Sequence, residues 1–291
     1  MNQPRPFQQV DVFTDTPYLG NPLGVVLDGV GLSTQDMQRF TDWTNLSECT
    51  FLLPPTDEGR AAGADYRVRI FCPGRELPFA GHPTLGSCHA WLQAGGRPAM
   101  TDRIVQECGV GLVSIRRMAA PGQTRLAFAA PPLRRGGPLD DDVVHRIARG
   151  LGLQRDDIEA HAWCDNGPGW QSVLLRDAEL LRTLRPDPVL LAGMDVGVVA
   201  PQTPERDTAF EVRAFFPGHN GLAEDPVTGS LNAALAQWLI GDGRAPEHYV
   251  AAQGTALGRA GRVHVARDGD GDGTIWIGGS SVTCIRGEVR L

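Results

Sequence analysis

The chain has too little positive charge and too little apolar continuity for two large classes of protein. Its 291 residues carry 27 Lys and Arg against 34 Asp and Glu, a formal net charge of −7. Nucleic-acid binding needs clustered basic side chains that neutralise phosphates, so that partner is not expected. No apolar run approaches the ~18–20 residues that a membrane helix requires. The opening "MNQPRPFQQVDVF" lacks the apolar stretch of a secretory signal. Cysteine is sparse and scattered: Cys49, Cys72, Cys88, Cys108, Cys164 and Cys284 form no CxxC pair. That pattern suits reduced thiols better than disulfides or a zinc site. Also missing are GxGxxG after a strand, HExxH, GxSxG and a phosphate loop, so neither a metal nor a nucleotide cofactor is expected. The stretch "DGDGDGT" (268–274) begins like a calcium loop, but Gly279 stands where the bidentate Glu is needed. It is expected to be a hairpin turn. The expectation from these absences is a soluble, cytoplasmic globular protein.

An apolar fraction of 42% supports packed cores, and 36 Gly with 22 Pro imply many tight turns. The length exceeds the usual single domain, which predicts two. An internal repeat says what kind. "YRVRIFCPGRELPFAGHPTLGS" (66–87) matches "FEVRAFFPGHNGLAEDPVTGS" (210–230), each a strand ending in Phe-x-Pro-Gly before a loop and a Gly-Ser pair. Collinear matches flank it: 20–29 with 166–177, 48–56 with 195–203, and 107–115 with 252–260. This alignment sets His82 opposite Asp225, and Glu48 opposite Asp195.

Each unit is expected to open with two strands (7–14 and 22–27; 159–164 and 171–175). The first unit then has a short helix over 33–43, with Ser33 as its cap. Strands at 49–53 and 66–71 follow, then a helix beginning near Gly86 or Gly229. Short strands close each unit (111–116 and 124–129; 262–267 and 274–277). The expected fold is α+β: two similar domains arising by internal duplication, residues 1–134 and 135–291, each a barrel-like β-sheet around a central helix. The Pro-, Gly- and charge-rich stretch 130–142 is the expected linker. Two such units would enclose a cleft, with His82 and Asp225 on opposite walls.

Three residues could carry chemistry. Asp225, before Pro226, is either a helix N-cap or a residue on the approach to a helix that starts at Thr228-Gly229-Ser230, where free amides suit a carboxylate. His82 in "FAGHPTLGS" is either structural or a partner of Asp225. Glu48 stands between a helix and an apolar strand, where desolvation raises a carboxyl pKa toward the range of a general acid/base. The bland alternative is a Glu at an exposed strand mouth. Cys49 beside it is either a reactive thiol or an inert core cysteine.

"NLSE", "RIF-x-P-x-x-ELPFAGHP" and "EDPVTGS", with "GNPLGVV" ahead and "QGTALGR" behind, resemble the PhzF-like phenazine-biosynthesis isomerase family of the diaminopimelate epimerase superfamily. The resemblance spans essentially the whole chain. It implies the diaminopimelate epimerase-like fold, a homodimer, and a cofactor-free isomerase that moves a proton on a small conjugated carboxylate, as on dihydro-3-hydroxyanthranilate. It implies Glu48 as the acid/base, with His82, Asp225 and Ser230 lining the site. It places Gly81, Thr228 and Gly229 in the turns whose amides hold the substrate carboxylate. The cysteine pair of the epimerases is replaced here by Ala80 and by Pro226-Val227. Cys49 and Pro226-Val227 depart from the phenazine enzyme, which leaves a hydrolase or tautomerase of another pathway, or a non-catalytic small-acid binder, as alternatives.

Overall fold

The structure, a computed structural model, describes residues 3–120, 123–218, 221–269 and 273–291. It is mixed α and β, rich in strands with few helices, and it divides into two compact units. One contains residues 1–129 and 278–291, the other residues 130–277. Sequence placed the boundary at 134/135 and gave the whole C-terminal stretch to the second unit. The difference lies in the last strand, which returns to pair with the first.

The first unit runs β1 (Pro4–Val12), β2 (Asn21–Val26), α1 (Thr34–Thr44), β3 (Cys49–Leu53), α2 (Asp57–Ala61), β4 (Tyr66–Cys72), β5 (Arg75–Leu77), α3 (Gly81–Gln93), β6 (Arg103–Cys108), β7 (Gly111–Ala120) and β8 (Gln123–Ala129). The second runs α4 (Asp141–Leu151), β9 (Ile158–Asp165), β10 (Gly169–Leu175), α5 (Ala178–Thr183), β11 (Val196–Pro201), β12 (Phe210–Gly218), β13 (Gly221–Asp225), α6 (Gly229–Gly241), β14 (His248–Gln253) and β15 (Gly261–Arg267). β16 (Ile275–Gly279) and β17 (Ser281–Arg290) end the chain. The expected hairpin turn at 268–274 includes residues 270–272, which lie outside the described residues.

In the first unit β17, β1 and β2 pair antiparallel, β2 and β3 parallel, and β3 and β4 antiparallel. β4 carries β5 as a hairpin and pairs in parallel with β6, which leads through β7 to β8. β3, "CTFLL", has four of its five residues buried because helices cover both faces. Phe51 meets Phe40 of α1 edge-to-face at 6.0 Å, while Thr50 accepts a 2.8 Å hydrogen bond from Ser87 of α3. α3 touches β1, β2, β3, β6, β8 and β17, so it is the inner helix of this unit. Gly86 permits that approach: a Cβ there would meet Leu23 Cδ2 at 2.5 Å.

The second unit pairs β9 with β10 antiparallel, β10 with β11 parallel, and β11 with β12 antiparallel. β12 carries β13 and lies parallel to β14, which pairs with β15. α6, "GSLNAALAQWLIG", is buried nearly all round, as suits a helix enclosed by strands. Val144, Ile147 and Leu151 of α4 pack with Val173, Val196, Val198 and Phe215 in the core.

The strand pairings of the two units match closely. Gly24 N–H donates to the Glu48 carbonyl at 3.5 Å, and Gln171 N–H to the Asp195 carbonyl at 2.7 Å. Both acidic residues stand directly before a strand. Arg69 grips Glu76 across β4–β5 as Arg213 grips Glu224 across β12–β13, each bidentate. Beyond these hairpins the expected correspondence of His82 with Asp225 fails. The β12–β13 hairpin is longer, so equivalent positions are separated by 144 residues before it (Arg69, Arg213) and by 148 after it (Glu76, Glu224; Gly81, Gly229). His82 therefore matches Ser230, the second residue of each inner helix, and Asp225 matches Leu77.

Candidate active site

Glu48 follows α1, whose C-cap Asn45 takes a left-handed conformation (φ 56°) that turns the chain sharply into β3. The carboxylate arrives beside His82, which sits in the first turn of α3. Glu48 Oε2 and His82 Nε2 are 3.5 Å apart, and both side chains are largely buried. On the far side of the ring, His82 Nδ1 lies 3.3 Å from Asn21 Nδ2, and Asn21 Oδ1 accepts from Ser47 Oγ at 3.4 Å.

Burial pushes the His82 imidazole down to about 3, against a smaller opposing effect from a hydrogen bond with the Pro22 carbonyl. At 3.5 Å the contact with Glu48 does not offset the lost hydration. His82 is thus a neutral ring at physiological pH. Donation from Asn21 to Nδ1 places the ring proton on Nε2, facing Glu48.

Cys49 does not share in this chemistry. It is fully buried, and desolvation pushes its thiol up to about 11, so it stays protonated. Of the two readings open for it, the inert one holds.

In the second unit, strand alternation separates the adjacent carboxylates of "EDPVTGS". Glu224 faces Arg213, with N–O distances of 2.8 and 2.7 Å, in a pair where both side chains are mostly buried. Asp225 points the other way and accepts a 2.6 Å hydrogen bond from Thr228 Oγ1. Asp225 is not a helix cap. It ends β13, and the N-cap of α6 is Thr228, which makes no side-chain cap hydrogen bond.

Gly229 and Ser230 open α6, as Gly81 and His82 open α3, whose N-cap Ala80 likewise has no side-chain cap. α1 and α5, in contrast, are capped by Ser33 and Asp177. Ser230 is held by residues that sequence reasoning passed over. Trp170 Nε1 donates to its Oγ at 3.1 Å, and Asn166 Nδ2 to its carbonyl at 2.8 Å. Because Ser230 Oγ accepts from Trp170, its own proton is available to a ligand. Asn21 and Asn166 play parallel parts, each on the second residue of an inner helix. Both lie in stretches that align in the repeat, which was the available signal. Gln253 and Asn232, which surround Thr228, were missed as well.

The structure thus brings Glu48 and His82 together in one unit, and Asp225, Thr228, Gly229 and Ser230 close in sequence in the other. Among the described residues no group of three or more His, Cys, Asp or Glu is arranged to hold a metal. No helix among them is long and apolar enough to cross a membrane.

Against known proteins, the family model for phenazine biosynthesis-like proteins (PhzC-PhzF) matches residues 10–287. The chain belongs to this family. The trans-2,3-dihydro-3-hydroxyanthranilate isomerase of Pseudomonas aeruginosa is 31% identical, over 97% of this chain and 98% of that one. The antisense-enhancing sequence 1 protein of Schizosaccharomyces pombe is 32% identical over 97% of both chains. A PhzF-family crystal structure from Bacillus anthracis superposes with a TM-score of 0.82, covering 99% of each chain at 22% identity, a likeness of fold. This PhzF-family chain is an enzyme of the isomerase class.

Proposed function

We propose that this PhzF-family protein moves a proton within a small conjugated carboxylate, with Glu48 as the acid/base. The observation that carries the reading is the 3.5 Å contact between Glu48 Oε2 and the buried, neutral His82. Glu48 takes a proton from a carbon acidified by the conjugated system, whose electron pair shifts through the double bonds. The resulting carboxylic acid then returns that proton to another carbon, so substrate and product have the same composition. A neutral imidazole beside Glu48 brings no charge that would fix the carboxyl in one protonation state. Asp225 is the second carboxylate of the proposed machinery, since groups in different surroundings divide acid and base roles. The amides opening α3 and α6, at Gly81 and at Gly229-Ser230, are the natural seats for the substrate carboxylate. The substrate class of the Pseudomonas relative makes trans-2,3-dihydro-3-hydroxyanthranilate the first probe.

The matched hairpins and inner helices support descent of the two units from one duplicated ancestor. The family resemblance also carries a homodimer, which light scattering of the purified protein checks.

The test is deuterium uptake. In D2O the wild type incorporates label into the probe or a related cyclohexadiene carboxylate, while Glu48→Gln binds the compound and exchanges nothing. General acid/base catalysis typically contributes ~10²–10⁴ in rate. Turnover by Glu48→Gln within a few-fold of wild type removes Glu48 as the base.

A further inference from the structure

The "QGTALGR" stretch includes Gln253, a side chain with no solvent exposure and every polar atom engaged. Its Nε2 donates to the Asp225 main-chain carbonyl at 3.1 Å and to Thr228 Oγ1 at 2.8 Å. Its Oε1 accepts from the Thr228 main-chain N–H at 3.0 Å and from Asn232 Nδ2 at 2.8 Å. Two of these partners cannot change role: a backbone N–H only donates and a backbone carbonyl only accepts. The amide is therefore locked against flipping. Asn232 is locked too, because its Nδ2 also donates to the Thr228 carbonyl at 2.9 Å.

The direction of the whole chain follows. Asn232 gives to Gln253, and Gln253 gives to the Thr228 hydroxyl. That hydroxyl receives a proton from an obligate donor, so its own proton goes to Asp225 Oδ2, 2.6 Å away. Thr228 is 6% exposed and Asn232 2%, so water does not compete. Gln253 ends β14, held in parallel register against Val212 of β12. In the first unit the parallel register runs through Tyr66–Gln106 and Arg67–Glu107, and the next residue of β6 is Cys108, which has no amide. The buried strand glutamine of the first unit, Gln106, instead donates to Thr84 Oγ1 of α3 at 3.0 Å and accepts from Tyr66 at 2.8 Å, a different set of partners.

We propose that Gln253 is a positioning residue, which fixes the Thr228 hydroxyl as a donor and through it holds the Asp225 carboxylate in its working orientation and ionised form. The inference rests on the reading of Asp225 as a site residue, and its test separates the two. A hydrogen bond donated to a carboxylate favours the ionised form, so losing it moves protonation to higher pH. The measurement is the 13C titration of the Asp225 carboxyl in selectively labelled full-length protein, assigned by its disappearance in Asp225→Asn. Gln253→Met keeps the length and removes the donor. Gln253→Glu keeps the shape and reverses the direction, since the Thr228 hydroxyl must then donate to the new carboxylate. Thr228→Val deletes the hydroxyl and Thr228→Ser retains it.

The expected result is a rise in the Asp225 midpoint on the order of one pH unit in Gln253→Met, Gln253→Glu and Thr228→Val, with Thr228→Ser close to wild type. The Gln253→Met/Thr228→Val double variant shifts no further than Thr228→Val alone, because both act through one hydroxyl. An Asp225 midpoint unmoved in Thr228→Val, or additive shifts in the double variant, overturns the proposal. Thr228→Val also decides the case if Gln253→Met does not fold. With the dihydro-hydroxyanthranilate probe, kcat should follow the midpoint while KM changes little. A shifted midpoint alongside wild-type turnover in Asp225→Asn keeps the positioning role and discards the site reading.

Discussion

His82 Nε2 stands 3.5 Å from Glu48 Oε2, yet the two are not an ion pair, because burial holds the imidazole neutral down to about pH 3. That has a consequence for stability. In the unfolded chain His82 titrates near 6.5, so between about pH 6.5 and 3 the unfolded state binds a proton that the native state refuses. Stability therefore falls as pH falls through this window, by about 1.4 kcal/mol per unit for one such group. His89, pushed by burial to about 4, adds to the slope. His82→Gln removes one titrating group and keeps a side chain that can meet Asn21. Urea unfolding at pH 7, 6, 5 and 4 should give a flatter profile for the variant. Parallel profiles would mean that His82 is protonated in the native protein.

The cysteines offer a second check. Burial raises Cys49 to about 11, and Cys88 and Cys164 to about 12. Thiolate is the reactive form, so these three should resist iodoacetamide at pH 7.5 in the native protein and react once it is unfolded. Peptide mapping reads this directly. Rapid native labelling of Cys49 would reopen thiol chemistry beside Glu48.

Gly254 gives a third, because its conformation supports the loop around Asp225. It has φ +91°, and a Cβ there would meet the Pro226 carbonyl oxygen at 2.7 Å and Arg259 Cβ at 2.8 Å. Gly258, at φ +71°, has open space around it. Gly258→Ala should then cost only the left-handed strain, roughly 1–2 kcal/mol. Gly254→Ala adds a main-chain clash and should cost roughly 1–3 kcal/mol more. It should also lower turnover, by displacing Pro226 and hence Thr228. Equal losses of stability in the two variants would show that the loop yields to the extra methyl.

What could be read from the sequence followed local periodicity and chemistry. Ser33 declared the start of α1, and a capping box with Asp36 is present. The alternating stretches at 66–71 and 171–175 became β4 and β10. Features set by distant partners were hidden. β17 pairs with β1 across nearly the full chain length, and nothing in "SVTCIRGEVR" names that partner. α3 was expected from Gly86 but begins at Gly81, because Pro83 fits a first helical turn and Gly86 serves close packing against Leu23. α4 follows the Pro- and Gly-rich linker so closely that its amphipathic pattern was lost. Glu48 and His82 could be named from their motifs, but their contact depends on where β3 and α3 meet. Gln253 resembled the end of an ordinary strand. Its role depends on main-chain groups of Asp225 and Thr228, which no side-chain pattern encodes.

The adjacent carboxylates Glu224 and Asp225 make the last prediction, since strand alternation assigns them opposite tasks. Glu224 is bound to Arg213, whose Nη1 also donates to the Leu181 and Leu184 carbonyls at 3.1 and 3.0 Å. Glu224→Gln keeps the volume but leaves a buried guanidinium without its counter-charge, at a cost of about 3 kcal/mol or more in stability. Asp225→Asn still offers an oxygen to the Thr228 hydroxyl, so folding should change by less than about 1 kcal/mol. What it loses is the charge that, in the proposed mechanism, acts on the substrate. Turnover of the dihydro-hydroxyanthranilate probe should therefore fall at least about tenfold in Asp225→Asn, or its pH–rate profile should shift. The stability midpoint stays near wild type. Glu224→Gln should show the reverse, a lower midpoint with near-normal kcat for the fraction that remains folded. Equal loss of stability in both variants, with an unaltered pH–rate profile in Asp225→Asn, would make Asp225 a structural brace for Thr228 and leave the proton chemistry to Glu48 and His82.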